Sequence, residues 1–252
     1  MTNTTTIPTL AGDGSFTAYR AVPAGTPKAA IVVIQEIFGV NAGIRRKCDT
    51  LAEAGYLAIA PDLFWRLEPG IELDPDVKPE FERALELMGQ FDQDKGIADI
   101  EATIRAARSE LGDGAKVGAV GYCLGGRLAF MTAARTDIDA SVGYYGVGID
   151  GLLGEKHAIA NPVLLHVPEE DHFVDKDAQA AMHAGLDDHP KVTIYDYAGE
   201  DHASRPSSAS AGRMRRPSWR TNAPRHFLPS IWGEDDFGHD DRPARHHRGY
   251  RH

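Results

Sequence analysis

Apolar residues come in short blocks along most of the chain, and their spacing alternates between two characters. Residues 30–35, Ala-Ile-Val-Val-Ile-Gln, form a continuous β-branched run, the pattern of a buried strand. Asn41 to Ala54 then sets Ile44, Cys48 and Leu51 at helical spacing, and Gly55 suits the end of that helix. Leu57 to Ala60 predicts a second strand, stopped by Pro61-Asp62. Residues 63–79 are rich in proline and acid, a long excursion suited to shaping a pocket. Phe81 to Met88 and Ile97 to Leu111 are helical in spacing; Lys116 to Gly121 predicts a strand and Leu124 to Ala134 the helix after it. Ala140 to Tyr145, Pro162 to Val167 and Val192 to Tyr197 predict further strands, with a helix from Asp175 to Leu186 between the last two. Strands alternating with helices predict an α/β fold, a mostly parallel central sheet with helices on both faces. Ligands of such sheets bind beyond the carboxyl ends of the strands.

Composition narrows the class. The chain has 252 residues, 42% of them hydrophobic, enough for one large core. No apolar run approaches the roughly 18 residues of a membrane span, and the first residues lack the basic and apolar parts of a signal peptide. The expected location is therefore the cytoplasm. Cys48 and Cys123 are the two cysteines, too few for a disulfide framework and without metal spacing. A formal charge of −10 disfavours nucleic acid and anionic membrane as partners. That charge is uneven. Ten arginines against five acidic residues give residues 203–252 a balance of +5, which leaves −15 for residues 1–202.

The chemistry concentrates at Gly121-Tyr122-Cys123-Leu124-Gly125-Gly126, between a predicted strand and a predicted helix. This is a nucleophile elbow, G-x-S-x-G, with cysteine in the serine position. The glycines let strand and helix pass closely, and the strained turn points the nucleophile out of the sheet. The helix N-terminus is expected to lower the thiol pKa. The Leu124 N–H would face a developing oxyanion. A structural cysteine in a glycine-rich turn is the plainer alternative. Cys48, at helical spacing with apolar neighbours, reads as core.

In this fold the acid and the histidine follow the nucleophile along the chain. Pro168-Glu169-Glu170-Asp171-His172 follows one strand, and Ala198-Gly199-Glu200-Asp201-His202 follows the next. His202 is the expected base and Asp171 its orienting acid; on residue type alone His172, Glu169 and Glu170 compete. His157, His183 and His189 read as solvated surface. Glu36 lies just past the first strand, on the loop that supplies the second oxyanion amide, where a carboxylate is costly unless paired.

The chain resembles the dienelactone hydrolase family over residues 8–202. The resemblance rests on Gln35-Glu36-Ile37-Phe38-Gly39, Ala60-Pro61-Asp62-Leu63, the elbow, Gly143-Tyr144-Tyr145-Gly146 and Asp171-His172-Phe173-Val174. It implies an α/β-hydrolase fold and a monomeric enzyme without cofactor or metal. Such an enzyme opens enol-lactones to linear keto acids in aromatic-compound degradation, with a small lactone or ester as its partner. It implies Cys123 as nucleophile, His202 as base and Asp171 as acid, with Glu36 beside the resting thiol, helping form the thiolate when substrate arrives. Ile37 and Leu124 would donate the oxyanion hydrogen bonds. Tyr144 would line the pocket, with Phe38, Phe81 and Arg83 as further substrate contacts. At places where the best-known members carry an arginine, a tyrosine and a tryptophan, this chain has Phe81, Leu85 and Met88, with Arg83 nearby. A substrate carboxylate thereby loses one anchor.

After His202-Ala203 the family continues with Phe-Ala and a final helix, whereas this chain reads Ser204-Arg205-Pro206-Ser207-Ser208 and stays rich in Arg, Pro, Ser and His. The expected organisation is a hydrolase domain over 1–202 and an irregular tail over 203–252 in place of the last helix. Composition alone reads the tail as disordered and basic. Codon choice offers a second origin. Residues 216–224 admit codons that, in another phase, read Ala-Glu-Leu-Ala-Asn-Glu-Arg-Thr, similar to the family's last helix. A reading-frame shift near Ala203 predicts that the gene carries this peptide in its alternate phase; sequencing the gene checks it.

Overall fold

The protein is described from a computed structural model, which covers residues 3–112 and 114–202. The expected tail over 203–252 and its proposed origin lie outside the described residues.

Two strands the sequence pattern did not mark, β1 (Thr4–Pro8) and β2 (Ser15–Ala21), form an antiparallel pair at one edge of an eight-stranded sheet. Their apolar positions, Ile7, Phe16 and Ala18, are buried, but they alternate with polar residues and form no continuous apolar run. Inward from them lie β4 (Leu57–Pro61), paired antiparallel with β2, and β3 (Ala30–Ile34), parallel to β4. The order continues through β5 (Val117–Tyr122), β6 (Ala140–Tyr144), β7 (Val163–Pro168) and β8 (Val192–Tyr197), all parallel. Strands β3 to β6 are buried at every position, which is why their sequences are continuous apolar runs rather than alternating ones.

Helix α1 (Ala42–Glu53) packs on β2, β3 and β4. Its N-terminus is fixed by Asn41, whose side chain accepts from the Gly43 and Ile44 amides at 3.0 and 3.2 Å. Helix α2 (Lys78–Gln90) starts earlier than its apolar spacing predicts, because Pro79 is tolerated in a first turn. Helix α3 (Gln93–Leu111) is capped by Asp92 and packs on α4 (Leu124–Arg135). A 3-10 segment (Asp150–Ala158) and α5 (Lys176–Leu186), capped by Asp175, complete the described elements. Ile100 and Ile104 of α3 and Leu128 and Met131 of α4 join Val117, Ala119, Val163 and Leu165 of the sheet in one core. Among the described residues no helix is long and apolar enough to cross a membrane.

The excursion after β4 is held by two buried carboxylates. Asp62 accepts from the Phe64 and Gly70 amides at 3.1 and 2.7 Å. Asp99 accepts from Trp65 at 2.9 Å and is gripped by the Arg66 guanidinium.

The other face of β5 to β8 carries a row of rings at paired positions: Tyr122, Tyr144, His166 and Tyr195. Successive rings are nearly parallel at 5.2, 4.3 and 5.6 Å. Lys47 of α1 sits over the Tyr122 ring at 4.5 Å, so the row lies on the α1 side. His166 Nδ1 bonds the Tyr197 hydroxyl at 2.7 Å, while its Nε2 is buried without a partner among the described residues. Burial pulls the His166 pKa down to about 4. A folded value below the unfolded one means that stability is present above about pH 6.5 and is lost as pH falls toward 4. The loss should reach at most about 3 kcal/mol. Urea titrations at stepped pH check this: His166→Phe should flatten the decline between pH 6.5 and 4.

Candidate active site

The turn from β5 into α4 puts Cys123 at φ 54° and ψ −115°, a conformation that side chains other than glycine's rarely adopt. The surrounding glycines make it reachable. A Cβ on Gly121 would stand 1.9 Å from the Gly125 carbonyl oxygen, and one on Gly125 would stand 2.5 Å from the carbonyls of Ile34 and Gln35. Strand, helix and the end of β3 therefore meet backbone to backbone, and the predicted elbow is present. The Cys123 amide donates to Tyr144 at 3.0 Å, and its carbonyl accepts from Gly126 at 2.9 Å.

The thiol does not behave as a helix N-terminus alone would dictate. Burial, then the charge of Glu36, pushes its pKa up to about 12; Asp171 adds to this and the Leu124 amide offsets part of it. The expected lowering is overturned because one amide dipole is outweighed by desolvation and two carboxylates. The resting sulfur is a thiol. Among the described residues it makes no side-chain hydrogen bond. Cys48, by contrast, is fully buried on α1, where burial raises its pKa.

Loops after β7 and β8 bring Asp171 and His202 together. His202 Nδ1 lies 2.7 Å from Asp171 Oδ2, and the two side chains are 7% and 0% exposed. The Phe173 amide occupies the other Asp171 oxygen at 2.8 Å. With Nδ1 held by the carboxylate, Nε2 is the nitrogen left to accept a proton. Phe173 and Tyr145 meet the imidazole edge-on at 4.7 and 4.9 Å and fix its plane. The competitors fall elsewhere. His172 pairs with Asp201 at 2.9 Å on the surface. Lys176 takes the Glu169 carbonyl and lies 3.8 Å from the Glu170 carboxylate. His157 is exposed, and His183 sits between Asp187 and Asp196 at 2.9 and 3.1 Å. His189 accepts from the Lys191 amide. Asp171, His172 and Asp201 have ligand atoms within 4.8 Å of one another, the described cluster with metal-ligand spacing. Its most buried member, Asp171, is already committed to His202 and Phe173.

Glu36 is placed by Gln35, which is fully buried, accepts from the Leu63 amide at 3.0 Å and donates to the Glu36 carbonyl at 3.4 Å. The Glu36 side chain accepts from the Tyr145 hydroxyl at 3.1 Å. Ile37 is buried on the same loop, and Phe38 meets Phe81 of α2 at 5.8 Å. Two expected substrate contacts are engaged by other side chains. Tyr144 is 2% exposed and stacked between Tyr122 and His166; its neighbour Tyr145 reaches Glu36 and His202 instead. Strand alternation sends consecutive side chains to opposite faces, so a Tyr-Tyr pair in sequence leaves the choice open. Arg83 is engaged by Glu68 and Glu86 at 2.8 and 2.9 Å on the surface, so its charge is already matched.

Residues 16–216 match the dienelactone hydrolase family. The chain belongs to that family. It is 48% identical over 193 residues to a "Putative carboxymethylenebutenolidase" of Azospirillum brasilense, covering 76% of this chain and 83% of the relative. It is 40% identical over 196 residues to a carboxymethylenebutenolidase of Pseudomonas putida, covering 78% and 83%. Among solved structures, a "Putative Dienelactone Hydrolase" from Klebsiella pneumoniae superposes with a TM-score of 0.70 at 26% identity, covering 90% of this chain and 97% of that one.

The carboxylate beside the thiol makes a testable difference within this dienelactone hydrolase framework. Replacing Glu36→Gln removes one negative charge near the sulfur and should raise the thiolate fraction about tenfold. Alkylation of Cys123 by iodoacetamide at pH 8, without substrate, reads this directly. A slower rate would mean that Glu36 acts on the resting thiol as a base.

Proposed function

We propose that the chain hydrolyses lactones and carboxylic esters with Cys123 as nucleophile, His202 as base and Asp171 as the acid that orients it. The observation that carries this reading is the buried Asp171–His202 pair, set in loops beyond the sheet's carboxyl edge, together with a thiol on a strained elbow whose pKa feels the Asp171 charge. Substrate binding brings the carbonyl over the sulfur. His202 Nε2 takes the thiol proton as the Sγ–carbon bond forms, and the amides of Ile37 and Leu124 hold the oxyanion. The intermediate collapses by breaking the ring or ester C–O bond, and His202 returns the proton to the leaving oxygen. In a lactone that oxygen stays on the acyl chain, so nothing departs before water attacks. Water then cleaves the thioester, giving a linear acid and the free thiol. An enol leaving group tautomerises to a ketone, as in an enol-lactone opened to a keto acid.

The family's relatives named carboxymethylenebutenolidase favour a small unsaturated lactone as substrate, and a cytoplasmic, monomeric enzyme of aromatic-compound degradation is the matching setting. The Phe38–Phe81 pair offers an apolar wall, while Arg83 is already matched and offers no anchor for a substrate carboxylate. A burst followed by turnover of an activated aryl ester is expected, with both lost in Cys123→Ala. Equal turnover by that variant would rule out the sulfur as nucleophile.

A second reading draws on the chain's end. The family match stops at residue 216, short of residue 252. Under this reading residues 1–202 keep the site but the altered segment 203–252 impairs the enzyme. Thermal melting by circular dichroism separates the two, since a cooperative transition favours the working hydrolase.

A further inference from the structure

Cys123 and Tyr145 are the described non-glycine residues in the left-handed region, at φ 54° and φ 40°. They are also neighbours. Tyr122 and Tyr144 are the last paired residues of β5 and β6, and each strained residue follows its strand by one. A bulky side chain at positive φ persists only where its surroundings over-determine it, and such strain gathers at functional sites. Here the Tyr145 amide is pinned to the His166 carbonyl at 2.9 Å, and the turn diverts the ring from the stacked row toward the sulfur. The ring is 6% exposed, lies edge-on to His202 and sends its hydroxyl to Glu36 at 3.1 Å. Among the described residues no cation pairs with Glu36, and Tyr145 is its one side-chain donor.

We propose that Tyr145 is a positioning residue: its hydroxyl holds the Glu36 carboxylate and tempers the field that this carboxylate casts on the Cys123 sulfur. The ionisable groups around the sulfur come from every side. Glu36 follows β3, Tyr145 follows β6, Asp171 and His202 follow β7 and β8, and Tyr122 lies beneath with Lys47 of α1 over its ring. The Glu36 charge raises the pKa of the Cys123 thiol. The O–H dipole of Tyr145 points its positive end at that charge and cancels part of its effect at the sulfur. Removing the dipole leaves the carboxylate's field unshared, so the thiolate forms less readily. The role rests on the sulfur-based reading above, but concerns the resting thiol and needs no turnover.

The test is a cycle of four proteins: wild type, Tyr145→Phe, Glu36→Gln and the double variant. The readout is alkylation of Cys123 by iodoacetamide from pH 7 to 10, with Cys123→Ser as the blank. Tyr145→Phe keeps the ring, its packing and the strained backbone, and loses only the hydroxyl. It should alkylate about three- to tenfold more slowly than wild type at each pH, a shift of half to one pH unit in the profile. In the Glu36→Gln background the same change should have no effect. An unchanged rate in the single variant overturns the proposal. So does an equal slowing in both backgrounds, which would place the hydroxyl's action on the sulfur itself. No ester turnover by the wild type, with the expected alkylation pattern, would instead count against the hydrolase reading alone.

Discussion

The structure depends on one backbone conformation, the left-handed turn at Cys123. A strand ending and a helix beginning at the same residue must cross within a few ångströms of each other, and only hydrogen fits at Gly121 and Gly125. The sheet supplies the force that keeps the turn in place. Four strands buried at every position leave no slack for β5 to slide, and the Cys123 amide is tied to the neighbouring strand through Tyr144. The strain at the sulfur is thus supported by packing far from it, which is the usual source of support for a pre-formed site.

The electrostatic arrangement follows from where that turn delivers the sulfur. It arrives in a part of the protein that already holds two carboxylates, with different partners. Asp171 is matched by the imidazole of His202 and the Phe173 amide. Glu36 has a neutral phenol. The pairings differ in consequence: Asp171 is bonded to an imidazole, while Glu36, held by a phenol, raises the pKa of the Cys123 thiol.

Much of this was legible in the residues. The β-branched run at 30–34 could only be an interior strand, and the Gly-x-Cys-x-Gly spacing has a steric meaning that survives without any relative to compare. The loop residues Asp171 and His202 were legible as candidates because they follow strands, but Glu169, Glu170 and His172 follow the same strand. Only the fold decides which carboxylate turns inward. The edge strand β1 and its neighbour β2 were silent because their apolar residues alternate with polar ones instead of forming a continuous run. Tyr144 and Tyr145 were indistinguishable because the choice depends on where the strand ends, and Arg83 promised a free charge until its neighbours Glu68 and Glu86 were placed.

The row of rings from Tyr122 to Tyr195 has its own consequence. Tyr144 and His166 are each wedged between neighbouring rings, so neither can be exchanged for a smaller or differently shaped group without leaving a gap that the next must fill. Variation at the outer strand is therefore transmitted inward toward the floor beneath the sulfur. Descendants of this sequence would have to change these positions in concert, as rungs of one ladder, or keep them all.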